Sequence, residues 1–441
     1  MVKKILYGCG NLSYSVIGQT LSNFFMFFAT SVLGISGTLV GIAIAISTIW
    51  DGISDTIFGY LSDNFNFLRM GKRNGYMLVA TIGMSISNIA IWCVPNTLSL
   101  GVKFIWVIIA LLIIETFNTM FATPYIALGN ELATSDVDRT KINAVSTIFY
   151  LIGIIIPSIL LFVFLHNTDL YPIGQLNPKG YVNIAFTVSV ICLIFGLICT
   201  FTTIQKNKDI FVSSKVGIKD LFLNFLSAFK NPLLRKVILG YVFTCMATVF
   251  LCSVGLHFFT YSFFYKSSQI TIILLSLIIG NILSQPLWVS IAKKFSKSNA
   301  LIFAILITIL SVFVVIGIFI FRINLVNISF YLMIGVIFIC GIGSGGIYSL
   351  PSSIYGDIIM KMENGKNLIG VYSGILTFSS NIANSITQLM VGILLDLIGF
   401  DSTIQVQELS VQTGLALILF VGVQISLILG CFVFSKFVKN N

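Results

Sequence analysis

Two aspartates one helical turn apart in an otherwise apolar stretch are the residues of this chain best placed to do chemistry. Asp51 and Asp55 stand in the run Ile49-Trp-Asp-Gly-Ile-Ser-Asp55. At i,i+4 spacing their carboxylates share one face of a helix, with Ser47 and Ser54 close by. Two carboxylates this close in a low dielectric cannot both stay ionised and bare: either one holds a proton or a monovalent cation sits between them. That is the chemistry of a coupling-ion site. The plainer alternative is a pair of acids satisfied by helix-end amides or a buried hydroxyl. Farther along, Glu115, Asn118 and Thr119 share a helix face that Ala122 continues one turn on. Thr119 is a candidate oxygen ligand for the same cation. Glu115 either extends the acidic site, faces a water-filled cavity or bonds a neighbouring helix, and Asn118 carries the same choice.

The elements that hold these residues must be membrane helices. Of the 441 residues 57% are apolar and 9% charged, the mean hydropathy is +1.02, and 39 residues are phenylalanine. A soluble protein with this composition would expose large apolar patches. A soluble enzyme, a disordered chain and a nucleic-acid binder are thereby excluded, and the net charge of +10 reads as basic loops against an anionic inner leaflet. The eight cysteines lie in apolar stretches without metal-ligand spacing and read as small core hydrophobes. Met1-Val-Lys-Lys4 leads into an apolar segment with no small-residue cleavage site, so no removed signal peptide is expected.

A spanning helix needs about 20 mainly apolar residues. Twelve segments qualify: 8–33, 38–62, 75–95, 101–130, 143–165, 181–203, 235–263, 268–291, 299–321, 327–356, 368–396 and 411–435. The spacing predicts two six-helix halves, 1–203 and 235–441, joined by a cytoplasmic linker at 204–234 whose run from Val216 to Leu226 lies on the membrane surface as an amphipathic helix. With both termini cytoplasmic, all but Lys103, Lys179, Lys266 and Arg322 of the 25 basic residues fall on the inner side. Asp51 then sits roughly 20 Å from the outer end of its span, at about 1.5 Å per residue. The halves read as diverged repeats. Pro124, Glu131 and Arg139 follow the fourth span as Pro351, Asp357 and Lys366 follow the tenth. Two parallel halves with a site between them make the all-α major facilitator architecture.

Other patterns carry less. Gly341-Ile-Gly-Ser-Gly-Gly346 has dinucleotide-fingerprint spacing but lies inside an apolar span with no strand before it, so it reads as close helix packing. His166 and His257 belong to no metal or catalytic cluster. Thr377, Asn381, Asn384, Ser385 and Gln388 form a polar stripe on the eleventh span that either lines a cavity or joins helices. Aspartates spaced by three residues also bind magnesium–diphosphate in intramembrane prenyltransferases. Such sites need a second acidic cluster, and here Asp357 and Asp396 stand alone at span ends. No enzyme and no cofactor are expected.

Along essentially its whole length the sequence resembles the glycoside–pentoside–hexuronide:cation symporters. The resemblance begins at Tyr7-Gly-Cys-Gly10. It is strongest at Ile49 to Asp55 followed by Gly59, Asp63, Gly71, Lys72 and Arg73, and continues through Thr123-Pro-Tyr125 and Pro286-Leu-Trp288 with Lys293 and Lys294. It closes with Gly341 to Gly345, Pro351, Asp357, Gly365, Lys366 and Gly370. The resemblance implies that Asp51, Asp55 and Thr119 bind the coupling cation, Na+ or H+. On the sugar side the match is poor. Ser15 and Ala122 stand where the best-known member has sugar-binding aspartates, and Ile126, Ser146 and Asn381 replace its tryptophan, arginine and lysine. Thr56 replaces the proline that usually follows the second aspartate. The substrate-facing positions implied are Ser15, Glu115, Asn118, Ala122, Tyr125 and Asn381. The expectation is a monomeric multi-pass cell-membrane symporter, in contact with lipid but not with nucleic acid, importing a sugar or glycoside by alternating access. The alternatives are a carrier of a lysolipid or other amphipath, and a drug/proton antiporter on the same fold.

Overall fold

A computed structural model describes residues 2–68, 70–95, 97–133, 136–204, 231–326, 328–361 and 365–438. The expected surface helix at 216–226, the lysines of the central loop and the side chains of Thr56, Asp63, Arg139 and Lys366 lie outside this description. Among the described residues the regular structure is helical. The helices are α1 (Val2–Phe27), α2 (Gly37–Asn64), α3 (Asn74–Trp92), α4 (Leu100–Leu132), α5 (Asp136–Phe164), α6 (Pro178–Thr202) and α7 (Pro232–His257). They continue with α8 (Ser267–Leu283), α9 (Gln285–Phe295), α10 (Lys297–Ile320), α11 (Ser329–Lys361), α12 (Gly365–Leu397) and α13 (Leu409–Val438).

The chain divides into two compact units, Met1–Lys215 with Asp401–Thr403 and Val216–Phe400 with Ile404–Asn441. In the first, α1 packs on α5 and α6, α2 on α4, and α3 on α4 and α6. In the second, α7 packs on α12 and α13, α8 on α11, and α10 on α11 and α13. The pairing scheme is the same in both. The repeat reaches into local detail: α1 ends in the π-helical turn Phe28–Val32 and α7 in Phe258–Ser262. Each π turn is followed by a left-handed residue, Gly34 and Phe264.

Polar side chains fasten the first unit internally, as bilayer helices do where water is absent. Asn88 donates to the Ala185 carbonyl at 3.1 Å and to the Ser189 hydroxyl at 2.9 Å, and Ser13 donates to the Cys192 carbonyl at 3.0 Å. Phe28 packs against Trp92 and Tyr181, whose rings stack at 5.6 Å. In the second unit the helices touch backbone to backbone. A methyl added at Gly280 would meet the Phe338 carbonyl at 2.3 Å, and one at Gly341 the Leu277 carbonyl at 2.2 Å. The glycine-rich run of α11 therefore serves helix packing.

Among the described residues ten helices are long and apolar enough to cross a membrane, or eleven with the bent pair of α8 and α9 taken as one span. The structure departs from the expected twelve in two places. The segment 268–291 is not one straight helix: α8 and α9 meet at 42°, because Pro286 in the first turn of α9 has no N–H to continue the ladder. The first helix has the length, 26 residues, but Asn11, Ser13, Ser15, Gln19, Thr20, Ser22 and Asn23 make it too polar to be counted with the ten.

Candidate functional site

α2 is capped at its N-terminus by Ser36, whose hydroxyl accepts from the Leu39 amide. It then runs unbroken for 28 residues. Against α4 it builds a ladder of side-chain hydrogen bonds. The Trp50 indole donates to Thr116 at 2.8 Å, the Thr119 hydroxyl to Asp51 Oδ1 at 2.7 Å, and the Thr123 hydroxyl to Asp55 Oδ1 at 2.9 Å. Two threonines one turn apart on α4 thus meet two aspartates one turn apart on α2. Ser54 sits between the rungs, 1% exposed. Its hydroxyl lies 3.0 Å from both the Asp51 carbonyl and the Thr119 oxygen and donates to one or the other. Both aspartates are half-buried, and Thr119 is buried.

Chemically, these rungs hold two carboxylates facing one way, each with one oxygen met by a neutral hydroxyl. A carboxylate has about four lone-pair sites and a hydroxyl two, so each group keeps acceptor capacity beyond the bond described. Carboxylate and hydroxyl oxygens are ligands for a hard cation. Each carboxylate is also a seat for a proton.

The other sequence-predicted residues lie on α1, α4 and α12. Glu115 is half-buried on α4 and accepts from Asn118 at 3.4 Å, while the buried Asn118 Oδ1 has no hydrogen-bond partner. Glu115 is close enough to Asp51 and Asp55 to feel both charges, and among the described residues no three His, Cys, Asp or Glu side chains converge as metal ligands. Ser15 is 5% exposed and packs against Gly153 of α5. Tyr125 is 2% exposed, stacked on Tyr7 at 4.4 Å and bonded to Ser146 at 3.0 Å. Ala122 is half-buried on α4, and Asn381 is half-buried on α12 of the second unit.

Sequence reasoning did not identify Thr123 as the partner of Asp55. Its four-residue offset from Thr119 repeats the offset between the aspartates and was the signal. Nor did it identify the counterpart of this constellation in the second unit. There, 230 residues on, as for the π turns, Asn281, Ser284 and Gln285 replace Asp51, Ser54 and Asp55. Ser284 donates to the Asn281 carbonyl at 2.8 Å, where Ser54 lies 3.0 Å from that of Asp51. Gln285 donates to the Asn281 and Gly345 carbonyls, each at 3.1 Å. Amides stand in place of the acids, and that of Gln285 is bonded within the unit.

A family model described as MFS/sugar transport protein matches residues 6–439. Among curated proteins, the chain is 21% identical to the sodium-dependent lysophosphatidylcholine symporter 1 of Xenopus tropicalis, over 99% of this chain and 87% of that one. It is 22% identical to the isoprimeverose transporter of Lactiplantibacillus pentosus, over 88% and 78%. An uncharacterized symporter of Synechocystis is 29% identical over 43% of this chain but only 35% of its own length. The fold is that of the nucleoside transporter NupG, matched with a TM-score of 0.71 at 13% identity over the whole of both chains. The expected symporter resemblance holds across the chain, and the fold neighbours are transporters rather than enzymes. The protein is a multi-pass membrane symporter that belongs to the MFS/sugar transport protein family.

Proposed function

We propose that this symporter binds its coupling cation between Asp51 and Asp55 of α2 and Thr119 of α4, and that the cation is sodium. The observation that carries the reading is the pair of hydroxyl–carboxylate bonds, 2.7 Å at Asp51 and 2.9 Å at Asp55. They preorganise two carboxylates of α2 and the hydroxyls of α4 along the seam between the helices, more oxygens than a proton alone requires. Cation occupancy neutralises the acidic pair and favours the rearrangement that exposes the substrate to the other side of the membrane. At 100 mV one charge contributes about 2.3 kcal/mol. A tenfold gradient adds about 1.4 kcal/mol, enough together for accumulation on the order of several hundredfold.

The cargo in this reading is a sugar or glycoside, supported by the family description and by the relationship to the isoprimeverose transporter. A second reading, a lysolipid or other amphipath, is favoured by the uncharged substrate-side positions Ser15, Ala122 and Asn381 and by the near full-length relationship to a lysophosphatidylcholine symporter. Two six-helix halves, 1–203 and 235–441, joined by a linker at 204–234 complete the reading. The chain acts as a monomer in the cell membrane with both termini in the cytoplasm, as its lysines and arginines direct.

The test is uptake into proteoliposomes of a panel of mono- and disaccharides, glycosides and lysolipids, driven by sodium, then by a proton gradient with sodium replaced by potassium. Sodium-stimulated saturable uptake that Asp51→Asn abolishes is expected. Sodium-independent uptake, or uptake untouched by Asp51→Asn, would overturn the site. The cargo taken up decides between the two readings.

A further inference from the structure

Thr123 lies outside the cation set just proposed, yet its geometry is built as closely as that of Thr119. Its hydroxyl donates to Asp55 Oδ1 at 2.9 Å. Its methyl lies over Gly59, one turn beyond Asp55 on α2, where an added Cβ would sit 3.6 Å from Thr123 Cγ2. The hydroxyl reaches back along α2 to the carboxylate, and this hydrogen bond fixes the rotamer, while the methyl branch points to the side of Gly59 with room to spare. A β-branched side chain fits this requirement well, because χ1 alone places both groups.

From this we infer that Thr123 is a cation-selectivity residue, the second neutral oxygen of the site, which makes a metal cation rather than a proton the coupling ion. The inference rests on the cation-site reading above. A proton needs one carboxylate lone pair and forms one bond. A hard cation needs several oxygens around it. Asp51 has Thr119 beside it and Asp55 has Thr123, so a cation between the two carboxylates meets a hydroxyl at each end of the pair. With no cation, each hydroxyl steadies its own carboxylate by hydrogen bonding. When the cation arrives, the hydroxyl keeps that bond or turns, and presents its lone pairs either way. Deleting the Thr123 oxygen takes away a ligand that only a metal cation uses and leaves both proton seats in place.

The experiment compares Thr123→Val, which keeps the shape and both branches but loses the oxygen, with Thr123→Ser, which keeps the oxygen but loses the methyl. Uptake is measured against sodium concentration and, separately, under an imposed proton gradient without sodium. Sodium protection against thermal unfolding of the purified protein is the direct binding readout. For Thr123→Val the sodium concentration giving half-maximal uptake and half-maximal protection should rise about tenfold or more, and a proton gradient without sodium should drive uptake in neither the parent nor the variant. Thr123→Ser should stay within about twofold of the parent. An unchanged sodium response in Thr123→Val overturns the inference while leaving the aspartate site standing. The opposite ranking, with Ser impaired and Val normal, overturns it too, because it assigns Thr123 to packing through its methyl. If Asp55→Asn also keeps the sodium response, the cation-site reading itself is what fails. If Thr123→Val does not fold, Thr123→Cys, which replaces the hydroxyl with a poor ligand for a hard cation, takes its place under the same criteria.

Discussion

The two units contain the same polar constellation in two chemical states. In the first, Asp51 and Asp55, with Ser54 between them, present carboxylates bonded by the hydroxyls of Thr119 and Thr123. In the second, Asn281, Ser284 and Gln285 hold the same helical positions with amides. Gln285 spends its N–H groups on the carbonyls of Asn281 and Gly345. One helix stays straight through the motif, and the other breaks by 42° just before Pro286. A shared scaffold thus carries the proposed ion seat where acids stand and a bent joint where amides do. The distinction comes from two carboxylate-to-amide changes and one proline rather than from the fold.

The strongest way to break this contrast is to give the first unit the second unit's chemistry. Asp55→Asn removes one charge and retains the shape. Concentrative uptake should collapse from several hundredfold to equilibration, a loss of about 3–4 kcal/mol of coupling. The unfolding temperature without sodium should stay the same or rise, since a carboxylate in hydrocarbon costs several kcal/mol that an amide does not. Uptake and melting on the same preparation check both halves of the expectation. Lost uptake with a lowered melting temperature would assign Asp55 to structure.

Packing offers the next contrast. A methyl at Gly345 would lie 2.2 Å from the Ser284 hydroxyl and 2.8 Å from the Asn281 carbonyl, the latter backbone with nowhere to go. At Gly59 the added Cβ meets only Thr123 Cγ2, at 3.6 Å. Gly345→Ala should therefore cost about 2–3 kcal/mol through overpacking. Gly59→Ala should cost about 0.5 kcal/mol or less, as ordinary surface substitutions do. Thermal denaturation of the two variants side by side checks this. Equal losses would mean that the amide joint is no tighter than the acid ladder.

Much of this was legible in the sequence, and what was not has physical reasons. Composition and hydrophobic run length are properties of single segments, so the membrane class and most spans could be read directly. The acidic pair could be read because a charge in an apolar run is costly and must have a purpose. The break at Ser284 was missed because Pro286 falls near the middle of an apolar run that hydropathy treats as continuous. Thr123 was missed as a partner because threonine is unremarkable on a membrane helix until the helix opposite is known. Ser15 and Tyr125 were read as substrate-facing from resemblance alone. Their burial against Gly153 and Tyr7 depends on how α1 meets α4 and α5, which no spacing reveals.

Restoring a carboxylate to the second unit sharpens the comparison further. In Gln285→Glu a group that only accepts would face the Asn281 and Gly345 carbonyls, which also only accept. An unmet buried acceptor costs about 1–3 kcal/mol, so the variant should melt several degrees lower. It should also gain no additional protection from sodium, because neither Gln285 partner is a hydroxyl and the bend redirects the helix. A new sodium response would show that charge alone makes the seat and that the threonine ladder is dispensable.

The smallest expected effects separate the two tryptophans that flank these motifs. Trp288 is 1% exposed, donates to the Ile342 carbonyl at 2.8 Å and fills the space in front of Gly346, where an added Cβ would lie 2.9 Å from the ring. Trp288→Phe loses that bond and opens a gap, for about 1–2 kcal/mol. Trp50 is half-buried, and its indole donates to Thr116, whose own hydroxyl is already bonded to the Leu112 carbonyl at 2.6 Å. Trp50→Phe orphans no donor, so its cost should stay near 0.5 kcal/mol. Because Trp50 adjoins Asp51 and ties α2 to α4 one rung above the first hydroxyl–carboxylate bond, its loss should show in sodium affinity rather than in melting. A rise of about twofold in the sodium needed for half-maximal uptake is expected, against none for Trp288→Phe. Equal sodium responses in the two variants would confine the ion seat to the lower rungs of the ladder, with Trp50 serving only to join the helices.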